Sequence, residues 1–376
     1  MAHAYTPGLK VAAGTLIRRE RRLPLKGEVL VSVGDEVKGD TIVARTELPG
    51  DVQPLNLAGL LGVAPQDLDG YLLKKPGDTI KKDEIIAETK GFFGLMKTRV
   101  KSPLNGTIES ISTVTGQAIL RNPPSPVEVD AYIDGKVVEI YKSEGVSVET
   151  YATFIQGIFG IGGETKGIII PLVESPKDHL TVDMITPELK GNVVIGGSLV
   201  TIDVIRKAVE VGCIGIVTGG IWDYDLKELL GYDIGVAITG SEEKGITIII
   251  TEGFGEMPMA DKTFRLLKKN EGKKASINGA TQIRAGVMRP ELIIPIVDPG
   301  NSKKSDKEIK TSKGLEIGSP IRIIREPYFG KIGKVTALPP ELRVIETEAK
   351  VRILEAELEN GKKVIVPRAN VELIEE

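Results

Sequence analysis

One cysteine, Cys213, and two histidines, His3 and His179, are all the thiol and imidazole that 376 residues contain. A single thiol excludes an intrachain disulfide and any metal centre built on several thiolates. His3 lies in a terminal stretch, so an imidazole-based metal site or a Ser-His-Asp triad would rest on His179 alone. No metal and no cofactor is expected. No run approaches the roughly 18 consecutive apolar residues of a membrane span, and the opening MAHAYTPGLK lacks the apolar core of a signal peptide. The expectation is a cytoplasmic protein without membrane contact. A formal charge of −3 supplies no global field toward nucleic acid or anionic lipid.

The hydrophobic content of 41% and charged content of 27% are those of an ordinary globular protein, and the length predicts two or three cores. From Gly27 to about Thr150, short β-branched runs are punctuated by Gly, Asp and Pro, which reads as all-β. A phrase recurs there. The stretch from Gly27 to Ala44 (GEVLVSVGDEVKGDTIVA) is echoed from Gly70 to Ala87 (GYLLKKPGDTIKKDEIIA), each a strand, a Gly-Asp turn and a second strand. Glycine supplies the positive φ of the turn and Asp bonds the backbone beyond it. Weaker echoes follow at Ser102–Ile111 and Asp134–Ile140.

These phrases resemble the barrel-sandwich hybrid fold of biotinyl and lipoyl carrier domains and of the corresponding domains of Rnf and Nqr electron-transport subunits. Carriers place a modifiable lysine eight residues before the Pro of the final Ser-Pro-x-x-Gly phrase. With Pro103 in that role, Leu95 holds the register and Lys97 falls outside it. The resemblance therefore implies a structural hybrid barrel without a loaded lysine. Phe92, Phe93, Leu95 and Met96, between Gly91 and Gly94, form an apolar cluster to be tucked inward or offered to a partner. Phe92, Phe93 and Met96 are candidate partner-binding residues.

From about Tyr151 the grammar becomes α/β. Strands are predicted at Gly191–Ile195, Ile214–Val217, Gly245–Ile250 and Ile293–Val297, and helices at Leu199–Val211, Asp223–Leu230 and Met257–Lys269. Backbone N–H groups at a glycine loop opening a helix can hold an anion. Gly196, Gly197 and Ser198 before the first helix have that form, as do Gly219 and Gly220 before the second, and Glu252 and Gly253 before the third. Asn278 and Arg284, in a polar stretch near the end of the unit, complete the candidate ligand residues. Neither a dinucleotide fingerprint nor a Gly-Lys-Ser/Thr phosphate loop is present. No nucleophile–base pair emerges, and no catalytic residue is named.

Pro299 to Leu315 carries five lysines among Ser, Asp, Gly and Thr and reads as a solvated linker. Beyond it, the glycines of Tyr328-Phe329-Gly330-Lys-Ile-Gly333 and the alternating Val364 and Val366 resemble a KOW domain, the SH3-like barrel of NusG-type transcription factors and some ribosomal proteins. Ile332 and Val335 are expected in its core, and Tyr328 and Phe329 are candidate partner-binding residues. From Gly318 to Glu376, five lysines and five arginines face ten glutamates. A phosphate-binding surface normally carries a basic excess, so this balance favours protein partners over nucleic acid.

The expected architecture is a multidomain α+β chain. A β-rich barrel-sandwich-hybrid-like module spans 1–150, a central α/β domain 151–298, a Lys-rich linker 299–317 and a C-terminal SH3-like β-barrel 318–376. Two functions fit. The preferred one is a non-catalytic scaffold or adaptor binding protein partners in a cytoplasmic assembly linked to translation or transcription. The other is an enzyme or sensor that binds an anionic, phosphate-bearing small molecule in the central domain.

Overall fold

The computed structural model describes residues 9–89, 97–232, 242, 244–281, 288–296, 315–323, 327–328, 331–344, 350–358 and 360–373. The described residues are rich in strand, arranged in several sheets, with few helices.

The first two-fifths of the chain builds two lobes, one inserted in the other. The outer lobe begins with β1 (Val11–Arg22), β2 (Glu28–Val29), β3 (Glu36–Val37) and β4 (Ile42–Leu48). The inner lobe follows with β5 (Val52–Asn56), a short helix α1 (Leu57–Leu61), β6 (Thr79–Ile80), β7 (Ile85–Glu88), β8 (Arg99–Lys101), β9 (Gly106–Ile111) and β10 (Gln117–Arg121). The chain then returns to the outer lobe through β11 (Ser125–Asp130), β12 (Gly135–Tyr141) and β13 (Gly145–Gln156). Entry and exit of the inner lobe touch: Asn122 N–H donates to Asp51 O at 3.0 Å and the Arg121 guanidinium to Gly50 O at 2.8 Å.

The recurring phrases fold alike and pair alike. Gly34 and Gly77 adopt φ of 101° and 93°, and their N–H groups donate to Val137 O (2.8 Å) and Ile108 O (2.7 Å). Asp35 and Asp78 accept from the N–H groups of Ser32 (2.8 Å) and Lys75 (2.7 Å). Asp134 and Asn105 accept from Gly39 (2.7 Å) and Lys82 (2.9 Å). Each long phrase therefore closes on one weaker echo, the first on Asp134–Ile140 and the second on Ser102–Ile111. The two cores stay separate. Val37, Val43, Ile133 and Val137 bury in the outer lobe, and Ile80, Ile86, Leu104 and Ile108 in the inner one. The edge strands β5 and β11 carry Pro54 and Pro126, which lack the N–H another strand would need.

After β13 come β14 (Phe159–Ile161), β15 (Glu164–Pro171), β16 (Val193–Ile195), α2 (Ile202–Val211), β17 (Gly215–Ile221), α3 (Asp223–Leu230), β18 (Thr247–Phe254), α4 (Asp261–Lys269), β19 (Lys274–Asn278) and β20 (Glu291–Pro295). Strands β15 to β18 are parallel, and β16 to β18 are buried along nearly their whole length and mostly apolar, as expected of strands covered on both faces. α2 and α4 start later than the sequence predicts. Leu199 and Val200 are held in bridges to His179 and Ile221, and Pro258 keeps its preceding residue out of the helical region.

The parallel strands belong to an 11-stranded sheet ordered β14-β18-β17-β16-β15-β19-β20-β13-β12-β3, with β1 also on β13. β13 runs through residues 150 and 151, so the expected boundary between modules falls inside one strand whose neighbours come from both sides of it. The last unit contains β21 (Pro320–Ile323), β22 (Ile332–Ala337), β23 (Leu342–Val344), β24 (Lys350–Leu358), β25 (Lys363–Pro367) and β26 (Val371–Leu373), ordered β23-β24-β22-β21-β26 with β25 on β24. Val335, Val364 and Val366 are buried in its core as expected, while Ile332 is only half-buried. Among the described residues no helix is long and apolar enough to cross a membrane.

Candidate functional site

The glycine-bearing ends of β16, β17 and β18 meet at one edge, where open α/β sheets usually bind ligands. Gly196 N–H donates to Val217 O (2.8 Å), Gly219 N–H to Gly197 O (2.8 Å) and Ser198 N–H to Asp178 O (2.8 Å). The buried Ser198 hydroxyl donates to Lys177 O at 2.8 Å. A Cβ on Gly197 would stand 2.4 Å from Asp178 O, one on Gly219 2.0 Å from Met257 O, and one on Gly220 2.0 Å from Gly255 O. The glycines are thus required by close approach of the protein's own backbone, and the N–H groups of Gly196, Ser198 and Gly219 and the Ser198 hydroxyl are already bonded within the chain.

The start of α2 also has an internal anion. Asp225, buried on the first turn of α3, faces the Ile202 N–H at the start of α2. Burial pushes its carboxyl upward, with Glu228 and Asp203 adding to the rise and the Ile202 N–H opposing it. A carboxylate at a helix N-terminus answers the same unpaired N–H groups and dipole that would attract phosphate. The expected anion position at Gly196, Gly197 and Ser198 therefore adjoins a helix start that Asp225 serves.

Glu252 and Gly253 lie on the same edge in a different relation. The β17–β18 ladder passes from Thr218↔Ile250 to Gly220↔Gly253, so β18 carries one extra residue there. Such a bulge re-aims side chains. Glu252 Oε1 accepts from Ala260 N–H at 3.0 Å, just before α4, and Oε2 pairs with Arg322 of β21. Both side chains are about 95% buried, at 4% and 5% exposure. Arg322 also donates to Thr251 O at 3.3 Å. The structure buries it between the β18 edge and the last unit.

Asn278 stands apart from this edge. On β19 it lies opposite Glu164 of β15 and Glu291 of β20, and its side chain accepts from Ala280 N–H at 2.9 Å. Around it run the ion pairs Arg19–Glu291, Arg21–Glu164 and Arg21–Asp130. Tyr132 lies within, its ring 5.3 Å from the Arg21 guanidinium carbon and its hydroxyl without a partner among the described residues. Burial, then the charges of Glu291 and Glu164, pushes its phenol well above the usual range. Nothing in the sequence patterning singled out Arg19, Arg21 or Tyr132, because each falls in an ordinary strand or turn.

Of the other expected residues, Tyr328 is half-buried, with Lys362 Nζ 5.0 Å from its ring centroid. Lys97 pairs with Glu88 at 2.6 Å. Arg284, Phe92, Phe93, Met96 and Phe329 lie outside the described residues. No protein-family model matches the chain, and no curated protein matches it.

Proposed function

We propose that this protein is a non-catalytic scaffold or adaptor that binds protein partners, with two nested barrel-sandwich-hybrid lobes and a KOW-like SH3-type barrel attached to a central α/β sheet. The observation that carries this reading is the closed glycine edge. The N–H groups of Gly196, Ser198 and Gly219 bond the chain's own carbonyls, and the α2 start already meets Asp225. An enzyme or phosphate sensor of this architecture needs those groups free. The repeated turn bonds of the two lobes and the separate core of the last unit support the modular assignment.

Two of the last unit's cations are engaged within the chain, and two more face a glutamate across the sheet. Arg322 is buried against Glu252, Arg368 donates to Ile353 O and Pro339 O, and Lys334 and Lys363 stand opposite Glu357. That arrangement favours protein over nucleic acid. A thermal-shift panel of phosphate-bearing metabolites on the full chain tests the closed edge, since a ligand selective for the folded state raises its melting temperature. No shift is expected. Crosslinking in native cells followed by mass spectrometry should map partner crosslinks to the lobes or the last unit. A saturable shift with one metabolite, together with an absence of partner crosslinks, overturns the scaffold reading.

A further inference from the structure

At Glu252 the groups that meet the last unit are acceptors. The bulge on β18 takes Thr251 and Glu252 out of the regular ladder with β17. Glu252 Oε1 is fixed by Ala260 N–H, leaving Oε2 and the Thr251 carbonyl side by side. A carboxylate oxygen beside a carbonyl matches a planar cation with several N–H donors, because a guanidinium presents its donors in a fixed fork. We propose that Thr251 and Glu252 form a guanidinium-binding site, which Arg322 fills in cis and from which an external guanidinium group displaces it.

The internal occupant is imperfectly held. Arg322 is buried, yet its Nε has no hydrogen-bond partner among the described residues. A buried ion pair with an unmet donor forfeits much of its Coulombic gain to desolvation. Arg289 lies close enough to oppose it further: burial, reinforced by the Arg322 charge, pulls the Arg289 guanidinium down to about 10. A like charge beside a docked cation weakens the docking. Arg322 nonetheless belongs to the same chain, and tethering gives it a high effective concentration at Glu252. An external guanidinium therefore competes poorly until Arg322 is removed. This inference stands apart from the scaffold reading, since a displaceable guanidinium site is compatible with either class of function.

The test uses the full chain with methylguanidinium as a small probe and a blocked Gly-Arg-Gly tripeptide as a peptide probe. Unfolding is followed through Trp222, the sole tryptophan, whose ring lies 3.5 Å from the Cβ position of Gly255 on the same edge. In Arg322→Met the probe should raise the melting temperature at a concentration at least about ten-fold below that needed by the unsubstituted chain, a change of roughly 1.4 kcal/mol. The double substitution Glu252→Gln, Arg322→Met should lose the response, which separates site binding from general denaturant action. If Arg322→Met does not fold, Arg322→Lys keeps a cation near Glu252 but loses the fork, and should also be displaced at lower probe concentration. Tighter binding of the tripeptide assigns the guanidinium to a peptide, and equal binding to a small molecule. Equal responses in the single variant and the unsubstituted chain, or in the single and double variants, overturn the proposal.

Discussion

Gly219→Ala separates two reasons for having a glycine at the end of β17. If the residue served ligand approach, alanine would spare folding and abolish binding. The structure gives a different reason: an added Cβ would lie 2.0 Å from Met257 O, 2.8 Å from Gly197 O and 2.8 Å from Met259 N. All three are backbone atoms, so no side-chain rotation relieves the clash. Inserting a methyl group into packed structure costs typically 1–3 kcal/mol, and rigid backbone on two sides argues for the top of that range, about 3 kcal/mol. The control is Gly163→Ala, where nothing lies within 4 Å of the new Cβ. Gly163 is not among the positive-φ residues, and loss of unfolded-state freedom should make that change neutral or stabilising by up to about 1 kcal/mol. Urea unfolding followed by Trp222 fluorescence reports on this edge locally. A Gly219→Ala midpoint indistinguishable from that of Gly163→Ala refutes the packing argument.

Gly34→Ala and Gly77→Ala should each cost about 1 kcal/mol, because both turns need left-handed backbone while leaving open space for the methyl. Hydrogen exchange should rise only in the lobe that carries the change, and exchange rising in both contradicts the separation of their cores. For Asp225 the folded carboxyl lies above its unfolded value, so its stabilisation is present below the unfolded pKa and lost as pH rises through the folded one. Asp225→Asn should therefore match or exceed the unsubstituted chain at pH 7 and lose that advantage below about pH 3.9, whereas Asp225→Ala should lose about 1 kcal/mol of capping; chemical denaturation across pH checks both. The full chain should bind generic RNA no more tightly than ordinary non-specific proteins at physiological salt. Tight binding that falls steeply with added salt in a filter assay would contradict the protein-partner reading.

Local chemistry was legible in the sequence where it repeats. The Gly-Asp turns at Gly34 and Gly77 announce themselves because glycine is needed for the left-handed backbone and Asp for the turn bond. The apolar runs of β16 to β18 were visible for a similar reason, since strands covered on both faces leave no polar alternation to misread. Pairing over long distances was not legible. β1 lies against β13 and β13 against β20, contacts that join residues near 15 to residues near 152 and 295. Nothing in the strand at Val146–Ile155 distinguishes an end of one module from the spine of a shared sheet. The glycine edge was read as a ligand loop because the sequence indicates that backbone comes close there, without indicating to what. Nothing in the sequence around Arg322 marks it as internal, and only its position opposite Glu252 makes it an internal partner.

The two lobes also explain why one phrase gives two different attachments. In the inner lobe the closing echo reads Ser102-Pro-Leu-Asn-Gly106, and in the outer lobe Ala131-Tyr-Ile-Asp-Gly135. Proline holds φ near −65°, whereas Tyr132, in the equivalent place, adopts φ of 64°. That conformation is unfavourable for a side chain with a Cβ and persists only where its surroundings fix it. They do: Tyr132 N–H meets Gly39 O at 2.9 Å and Asp130 Oδ1 at 3.0 Å, and the Ser276 hydroxyl of β19 donates to Tyr132 O. The ring is thereby held among Arg19, Arg21 and the strands of the central sheet. Outer-lobe strands β3, β12 and β13 are themselves members of that sheet, while the inner lobe's strands form sheets of their own and its chain ends meet at Gly50 and Asn122. The outer lobe is consequently welded to the α/β core by pairing and by a strained tyrosine, and the inner lobe is carried on a two-stranded neck.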